Sequence, residues 1–164
     1  MKIIFLDIDG VLALGKIKRK ETPWGNIYRF DGKAVKLFNE LLEKTGAEIV
    51  LSSDWKKQHS LHEMREIFEW NGVIKGPISF TVNSPMYEEA ESMEWMAGGR
   101  AWEIKEYVER HELKEWIALD DLKLHESGHA DFFEGHFVFC GRTFEGVKQT
   151  SLQEKAIKLL NGDA

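Results

Sequence analysis

Acidic and hydroxyl side chains that could carry out chemistry stand at three points of the sequence, each directly after an apolar run. They are Asp7 and Asp9 after residues 2–6, Ser52 and Ser53 after residues 47–51, and Asp120 and Asp121 after residues 115–119. Two carboxylates as close as Asp7 and Asp9 are costly to ionise together unless a cation lies between them or one holds a proton. Gly10 follows them and allows the backbone to turn tightly beside a ligand. This spacing predicts a ligand site rather than a helix cap and an ordinary turn.

Apolar runs alternate with amphipathic stretches along the chain. The three apolar runs predict strands buried on both faces, and two more strands are predicted over residues 78–82 and 136–139. Helices are predicted from Asp31 to Gly46, around residues 61–72, over residues 100–111, and after a capping box at residues 151–154. The alternation predicts an α/β fold with a doubly wound, Rossmann-like, mostly parallel sheet of five strands.

In a parallel sheet the carboxyl ends of the strands lie along one edge, so the three polar points are expected to converge there. Two or three carboxylates around one point offer hard oxygen ligands, which suit Mg²⁺. Serine hydroxyls and backbone N–H groups can hold a phosphate, and Arg100 can balance the charge on a transferred group. Asp7 could then act as a nucleophile that forms an aspartyl-phosphate, while Asp9 exchanges protons with the leaving and attacking oxygens.

The order of these motifs resembles that of the haloacid dehalogenase (HAD) superfamily of phosphohydrolases, over nearly the whole chain. The first motif of that superfamily is matched by FLDIDGVL, the second by EIVLSS and the fourth by WIALDD. Each match is weak alone, but three in this order and at strand ends are specific together. The resemblance implies a HAD-like fold with Mg²⁺ held by Asp7, the carbonyl of Asp9, and the Asp120–Asp121 pair. Either member of that pair could be the direct ligand.

The resemblance also implies which residues contact the substrate. Ser52 is the first hydroxyl after its strand and is expected to bind the phosphate. The cation of the third motif is expected to be Arg100, with Lys105 as the substitute more than a turn further along the same helix. The further expected substrate contacts are Gly10, Ser53, Lys56 and Lys105.

Substrate choice in this superfamily usually follows an inserted cap domain, for which this chain has little room. Between Asp9 and Ser52 there is space for a flap over residues 13–30 and one helix. The interval from Ser53 to Arg100 holds one helix, one strand and a loop. Residues 1–164 are therefore expected to form one HAD-like domain that is capless or minimally capped. Such members tend to act on bulky substrates that cover the open site themselves, including nucleic-acid ends and phosphoproteins.

A narrower resemblance is to the HAD domains associated with RNA-repair proteins. It is carried by DIDGVL, by SSDW followed by Lys56, and by Arg100 with Glu103 and Ile104. Such domains are thought to remove terminal phosphates, like the phosphatase half of polynucleotide kinase-phosphatase. The implied partner is a phosphorylated nucleotide or nucleic-acid end. Because DMDGV-type openings also occur in deoxyribonucleotidases, a small-molecule phosphatase such as a 5′(3′)-deoxyribonucleotidase is the alternative.

Two other classes of protein are weaker alternatives. The segment HESGH at residues 125–129 matches the H-E-x-x-H motif of zinc proteases, whose two histidines lie on one face of a stable helix. Here Ser127 and Gly128 lie inside the match, which follows a predicted strand directly, so a loop is favoured. A non-catalytic binding module with the same fold is the other alternative, and the presence of both Asp7 and Asp9 argues against it.

Composition and charge limit the partners. The net charge of −6 argues against broad non-specific binding of nucleic acid. The basic run KIKRK at residues 16–20 lies close behind Asp9, and it could be a solvated surface or a flap that contacts a polyanion. The single cysteine, Cys140, excludes an internal disulfide and suits a reducing compartment. With no apolar run long enough for a bilayer and no leader before the first strand, a cytoplasmic protein without a membrane partner is expected.

Overall fold

A five-stranded parallel sheet forms the centre of the computed structural model, which describes residues 1–15, 20–84, 93–141 and 145–162. The strands are β1 (Lys2–Leu6), β2 (Lys20–Thr22), β3 (Gly25–Ile27), β4 (Glu48–Leu51), β5 (Ser79–Phe80), β6 (Glu115–Asp120) and β7 (Phe137–Phe139). The sheet has the order β5-β4-β1-β6-β7 with every neighbouring pair parallel, while β2 and β3 form a separate antiparallel hairpin. The predicted α/β fold with a mostly parallel sheet is confirmed.

Helices cover both faces of this sheet. They are α1 (Gly32–Thr45), α2 (Leu61–Trp70), α3 (Met93–Arg110) and α4 (Thr150–Asn161). Successive residues of a strand point to opposite faces, so Ile4 and Leu6 pack in one core with α1, α2 and α4. Ile3 and Phe5 pack in a second core with α3. The central strand β1 is therefore buried on both sides, as its continuous apolar run predicts.

The first two helices begin and end where the sequence signals them. The Asp31 carboxylate caps α1 by accepting hydrogen bonds from two backbone N–H groups of the first turn, and Gly46 ends the helix with a left-handed φ of 67°. A capping box between Ser60 and Glu63 opens α2. These local signals set where α1 begins and ends and where α2 begins, and the apolar faces of both helices pack in the same core.

Helix α3 begins at Met93, seven residues before the predicted start at Arg100. The sequence prediction was wrong here because Gly98 and Gly99 have low helix propensity and suggest a boundary. In the structure Ala97 and Ala101 are buried in the core beside β1, and this packing outweighs the propensity of the glycines.

Helix α4 begins at Thr150, and the predicted capping box at residues 151–154 is wrong. The N-cap residue is Gln149, whose side-chain amide donates to the carbonyls of Cys140 and Gly146. These two bonds tie residue 149 to the end of β7 and to the turn before the helix. The N-cap is therefore Gln149, two residues earlier than the serine suggested.

The hairpin β2–β3 lies within residues 13–30, the range predicted to form a flap. Thr22 pairs with Gly25, so Pro23 and Trp24 form the turn, and residues 28–30 have no regular structure. The Thr22 hydroxyl closes the turn by donating to the carbonyl of Gly25 and accepting from the N–H of Trp24. The basic run begins before this hairpin, and its residues 16–19 lie outside the described residues.

The hairpin is attached to α2 by aromatic side chains. The indole N–H of Trp24 donates to a Glu66 oxygen at 3.0 Å, and the rings of Trp24 and Trp70 meet edge to face at 5.8 Å. The Arg29 guanidinium lies 4.7 Å above the Trp70 ring. The hairpin therefore holds a defined place beside the carboxyl edge of the sheet. In the part of the chain that the structure describes, no helix combines the length and apolar character needed to cross a membrane.

Candidate active site

Three carboxylates meet where β1 and β6 end. These strands are parallel neighbours with Leu6 opposite Leu119, so the next residues, Asp7 and Asp120, lie side by side. One carboxylate oxygen from each of Asp7, Asp120 and Asp121 lies within 4.8 Å of the other two. The structure thus brings together the acidic residues that follow the first and fourth predicted strands.

Backbone hydrogen bonds orient two of these carboxylates. Asp7 Oδ1 accepts from the N–H of Ile8 at 2.8 Å, and Asp120 Oδ1 accepts from the N–H of Leu122 at 2.9 Å. Asp7 is 5% exposed and Asp120 is completely buried. Burial of ionised carboxylates is costly without a compensating charge, so this pair needs a cation nearby.

Arg100 supplies positive charge from α3. Its Nη1 donates to Asp120 Oδ2 at 2.7 Å and lies 3.5 Å from Asp7 Oδ1. Its Nη2 lies 3.8 Å from a carboxylate oxygen of Asp54 in the segment after β4. The Arg100 side chain is only 3% exposed, so water screens these ion pairs weakly. The cation expected for the third motif is therefore part of the acidic cluster.

One arginine does not balance the negative charge of the cluster. Burial raises the pKa of Asp7 well above the ordinary aspartate range, the charge of Asp120 raises it further, and Arg100 opposes the increase. Asp121 and Asp9 raise the same pKa by smaller amounts. Hard oxygen donors with unbalanced negative charge fit a divalent cation such as Mg²⁺. Asp7, Asp120 and Asp121 are the residues that could hold it.

Gly10 lets the chain pass close to Asp121. Its φ is +79°, a left-handed value that residues other than glycine rarely adopt. A Cβ added at this position would lie 2.3 Å from Asp121 Oδ2. The glycine of the first motif therefore makes room for a carboxylate of the fourth.

Asp9 lies at the outer side of the cluster and is held by an indole. The N–H of Trp55 donates to Asp9 Oδ2 at 3.0 Å. Trp55 is 9% exposed and packs edge to face against Phe30 with the ring centres 5.8 Å apart. This packed indole fixes the position of one Asp9 oxygen. Sequence reasoning missed the pairing, for which the only signal was that Trp55 stands two residues after Ser53.

The two serines after β4 have different environments. Ser52 is completely buried, and its hydroxyl has no hydrogen-bond partner among the described residues. Leaving such a group unsatisfied costs about 1–3 kcal/mol, so a hydrogen bond to a ligand would stabilise this hydroxyl. The Ser53 hydroxyl instead accepts from the N–H of Trp55 and caps the short 3₁₀ helix Asp54–Lys57.

Asp9 borders three cavities of the described structure. The first, which we call the carboxylate cleft, has a volume of about 180 Å³ and is lined by Asp7, Asp9, Asp54, Met96, Arg100, Asp121 and Leu122. The second, the hairpin cavity, has about 340 Å³ and is lined by Asp9, Asn26, Ile27, Tyr28, Asp54, Trp55, Gln58 and His59. The third, the glycine cavity, has about 210 Å³ and is lined by Asp9, Gly10, Ala13, Leu14, Gly15, Tyr28, Asp121 and Gly141.

Comparison with known proteins places this arrangement in a family. A family model described as the HAD domain in Swiss Army Knife RNA repair proteins matches residues 3–150. The chain belongs to this family. No curated protein and no solved structure gives a significant match. The matched region of the HAD domain runs from β1 to the start of α4 and contains every residue of the carboxylate cleft. The family resemblance inferred from the motifs is confirmed.

Lys56 of the HAD domain, an expected substrate contact, is not among the residues that line the carboxylate cleft. Its Nζ contacts Glu103 Oε2 and the Thr81 hydroxyl, both at 2.8 Å, and the carbonyls of Thr81 and Val82. The side chain is 3% exposed, and burial lowers the pKa of Lys56 while the Glu103 carboxylate opposes that change. Lys56 therefore joins the segment after β5 to α3, and its ammonium group is already surrounded by acceptors.

Lys105, the substitute for the third-motif cation, also lies elsewhere. Its Nζ is 3.9 Å from a Glu109 oxygen and 5.5 Å above the centre of the Phe132 ring. The side chain is 35% exposed on the flank of α3. The structure therefore brings Arg100, and not Lys105, to the carboxylates.

The HESGH segment does not form the helix that a zinc protease needs. Residues Leu124–Glu126 and Ala130–Phe133 form two separate 3₁₀ helices, and Ser127 between them is extended. Among the described residues, His, Cys, Asp and Glu side chains gather in a metal-binding group only at Asp7, Asp120 and Asp121. The geometry therefore gives no support to the protease alternative.

Cys140 follows β7 near the acidic cluster. It is 1% exposed, and burial raises the pKa of its thiol well above the ordinary range. The charges of Asp120 and Asp7 raise that pKa further. Burial and these charges therefore favour the neutral form of the thiol beside the acidic cluster.

Proposed function

We propose that this HAD domain is a Mg²⁺-dependent phosphohydrolase that removes a phosphomonoester through an aspartyl-phosphate on Asp7. The observation that carries the proposal is the meeting of Asp7, Asp120 and Asp121 with Arg100 at one edge of the sheet. Membership of the HAD family supports the same class of reaction. When bound, Mg²⁺ would supply positive charge that favours ionised Asp7 and offsets the charge of the phosphate.

In the first step a carboxylate oxygen of Asp7 attacks the phosphorus atom. A bond forms between that oxygen and phosphorus, and the ester P–O bond breaks. The proton held by Asp9 passes to the leaving oxygen, so that the alcohol departs without charge. The hydrogen bond from Trp55 keeps the Asp9 carboxylate beside the carboxylate cleft for this transfer.

In the second step the phosphate is released from Asp7. The ionised Asp9 takes a proton from a water molecule, whose oxygen attacks phosphorus and displaces the Asp7 carboxylate as inorganic phosphate forms. The buried Ser52 hydroxyl is a candidate donor to a phosphate oxygen because it lacks a partner among the described residues. Arg100 offsets part of the negative charge that accumulates between Asp7 and Asp120.

The proposed substrate is a phosphomonoester on a nucleotide or a nucleic-acid end. The description of the family as a domain of RNA repair proteins supports this class. The basic run at residues 16–20 is proposed to contact the substrate backbone. Joint replacement of Lys16, Lys18, Arg19 and Lys20 by alanine should then weaken oligonucleotide turnover and reduce its dependence on salt. Unchanged turnover with unchanged salt dependence would remove the basic run from the proposal.

The test is phosphate release from p-nitrophenyl phosphate and from a 3′-phosphorylated oligonucleotide, measured with Mg²⁺ and with EDTA. We expect release that requires Mg²⁺, and an Asp7→Asn variant that loses it by several orders of magnitude because the nucleophile is gone. Asp131→Asn is the matched control, since this exposed aspartate lies outside the cleft and the same change should leave the rate within twofold.

Each other outcome has a defined meaning. Activity that survives Asp7→Asn would contradict the aspartyl-phosphate mechanism. Faster turnover of mononucleotides than of oligonucleotides would favour the deoxyribonucleotidase alternative, and zinc-dependent peptide cleavage would contradict the proposal altogether. If p-nitrophenyl phosphate, the oligonucleotide and mononucleotides all remain unhydrolysed, a binding module would be the better description.

A further inference from the structure

The carboxylate cleft and the hairpin cavity share a wall made by Asp9 and Asp54. In the proposed reaction, the phosphorus atom lies beside Asp7 and the leaving oxygen receives its proton from Asp9. The leaving group must therefore continue past Asp9, away from Asp7. The hairpin cavity opens on this side of Asp9, and its volume of about 340 Å³ falls in the range of sites for small organic ligands.

The walls of the hairpin cavity offer hydrogen bonds and aromatic rings. Asn26 of β3 and Gln58 after the 3₁₀ helix each present a side-chain amide that has no hydrogen-bond partner among the described residues. An amide offers both donors and an acceptor, as the edge of a nucleobase requires. Tyr28, Trp55 and His59 add ring surface to the same walls.

The glycine cavity is the weaker candidate for the leaving group. Apart from Asp9, Tyr28 and Asp121, its lining consists of glycines and the aliphatic residues Ala13 and Leu14. Such a lining provides few side-chain groups that could distinguish a base or a sugar. The hairpin cavity is therefore the better fit for a ligand with many polar atoms.

The charge of the hairpin cavity selects against an anionic leaving group. Asp9 and Asp54 line it, and the described lining contains neither lysine nor arginine. A second phosphate close to the leaving oxygen would meet these carboxylates in a partly enclosed space, where repulsion is strong. A sugar and base without charge can enter, so the phosphate of the next nucleotide must remain outside the cavity.

We infer that the hairpin cavity binds the sugar and base of the nucleotide whose phosphate is removed, with Asn26 and Gln58 contacting its polar atoms. This inference rests on the proposed phosphatase function and specifies where its leaving group binds. The hairpin that forms one wall is already packed on α2 through Trp24, so the cavity is present without a ligand.

The test fills the cavity and compares a large with a small leaving group. Asn26→Trp and Gln58→Trp place an indole in the cavity from two different walls. Neither side chain makes a hydrogen bond within the described structure, and the backbone bond from Gln58 N–H to the Trp55 carbonyl is kept. Kinetics are measured with a nucleoside 3′-monophosphate and with acetyl phosphate, whose leaving acetate has nothing to place in the cavity. Ser151→Trp on the exposed side of α4 is the matched control.

We expect each cavity variant to lower kcat/KM for the nucleoside 3′-monophosphate at least tenfold and to change acetyl phosphate hydrolysis less than twofold. The control should leave both substrates within twofold. Equal losses on the two substrates, or no loss on either, would overturn the inference. Asn26→Ala and Gln58→Ala should each lower kcat/KM for the nucleotide about threefold to tenfold, as the loss of one hydrogen bond does.

A binding measurement separates failure of this inference from failure of the proposed function. Calorimetric titration of Asp7→Asn with the nucleoside 3′-monophosphate should give binding that Gln58→Trp weakens at least tenfold. If the unaltered chain hydrolyses neither substrate but this binding pattern holds, the phosphatase proposal fails and the cavity assignment stands. If Asp7→Asn and its Gln58→Trp derivative bind the nucleotide equally or not at all, the cavity assignment fails.

Discussion

Replacement of Gly10 by alanine should weaken Mg²⁺ binding by displacing Asp121. A Cβ at residue 10 would lie 2.3 Å from Asp121 Oδ2 and 2.7 Å from its Cγ, whereas ordinary contact begins at 3.4 Å. The carboxylate must therefore retreat by about 1 Å, several times the ~0.2 Å variation tolerated in metal–ligand distances. We expect the affinity for Mg²⁺ to fall by about tenfold to hundredfold, the range found when the support of a metal ligand is lost.

Gly46→Ala is the matched control for backbone strain. Gly46 also has a left-handed φ, +67°, but a Cβ there would meet nothing within 4 Å. A left-handed alanine costs roughly 1–2 kcal/mol at either position. In EDTA both variants should therefore lose free energy of unfolding, with any excess for Gly10→Ala caused by the contact with Asp121.

The assay is calorimetric titration of Mg²⁺ into each variant, together with thermal melting in Mg²⁺ and in EDTA. The unaltered chain and Gly46→Ala should both melt at higher temperature with Mg²⁺, while Gly10→Ala should gain little. Unchanged Mg²⁺ affinity in Gly10→Ala would refute the reasoning that Asp121 is a ligand supported by the turn at Gly10. An equal loss in Gly46→Ala would assign the effect to strain alone.

The buried charges give three further predictions. The pKa of Asp7 is higher in the folded chain than in the unfolded chain. The stability that goes with protonated Asp7 is therefore fully present below pH about 4, and it is lost as pH rises through the raised pKa. Melting in EDTA should show Asp7→Asn gaining stability over the unaltered chain as pH rises from 4 to 8, and a constant difference would contradict this. Arg100→Met leaves completely buried Asp120 without its cation, so urea denaturation should show a loss of about 3–5 kcal/mol, with a smaller loss for Arg100→Lys. Lys56→Met should cost a similar amount because Glu103 stays buried. Lys56→Met with Glu103→Leu should recover part of it, since the double variant also loses the Glu103 bond to the Ser84 N–H; additive losses would count against the pairing.

The sheet and its acidic edge were predictable from the sequence because the signals are local. A continuous apolar run marks a strand buried on both faces, and the residue after it must lie at the carboxyl edge. Asp7 and Asp120 follow such runs directly, and parallel pairing then places them side by side. The sequence also predicted that Arg100 is the cation of the site, and the structure places it against Asp120. That placement depends on the packing of α3, although the helix begins earlier than predicted.

The parts that sequence reasoning missed depend on contacts between distant residues. The ammonium group of Lys56 is taken up by Glu103, 47 residues away, and by carbonyls after β5. No local pattern near Lys56 reports those acceptors. The pairing of Trp55 with Asp9 likewise joins residues 46 positions apart. Local signals mislead in the same way at Ser151, where the amide of Gln149 determines the helix start.

The buried thiol of Cys140 should itself react slowly with electrophiles and oxidants while the chain is folded. Only a thiolate reacts readily with such reagents, and burial together with the neighbouring carboxylates opposes its formation. Alkylation should therefore wait until the sheet opens at β7, and since the chain has a single cysteine, the labelling rate reports that opening alone. In the proposed mechanism the nucleophile is Asp7, so oxidation of this thiol would not remove the attacking group as it does in thiolate-dependent phosphatases.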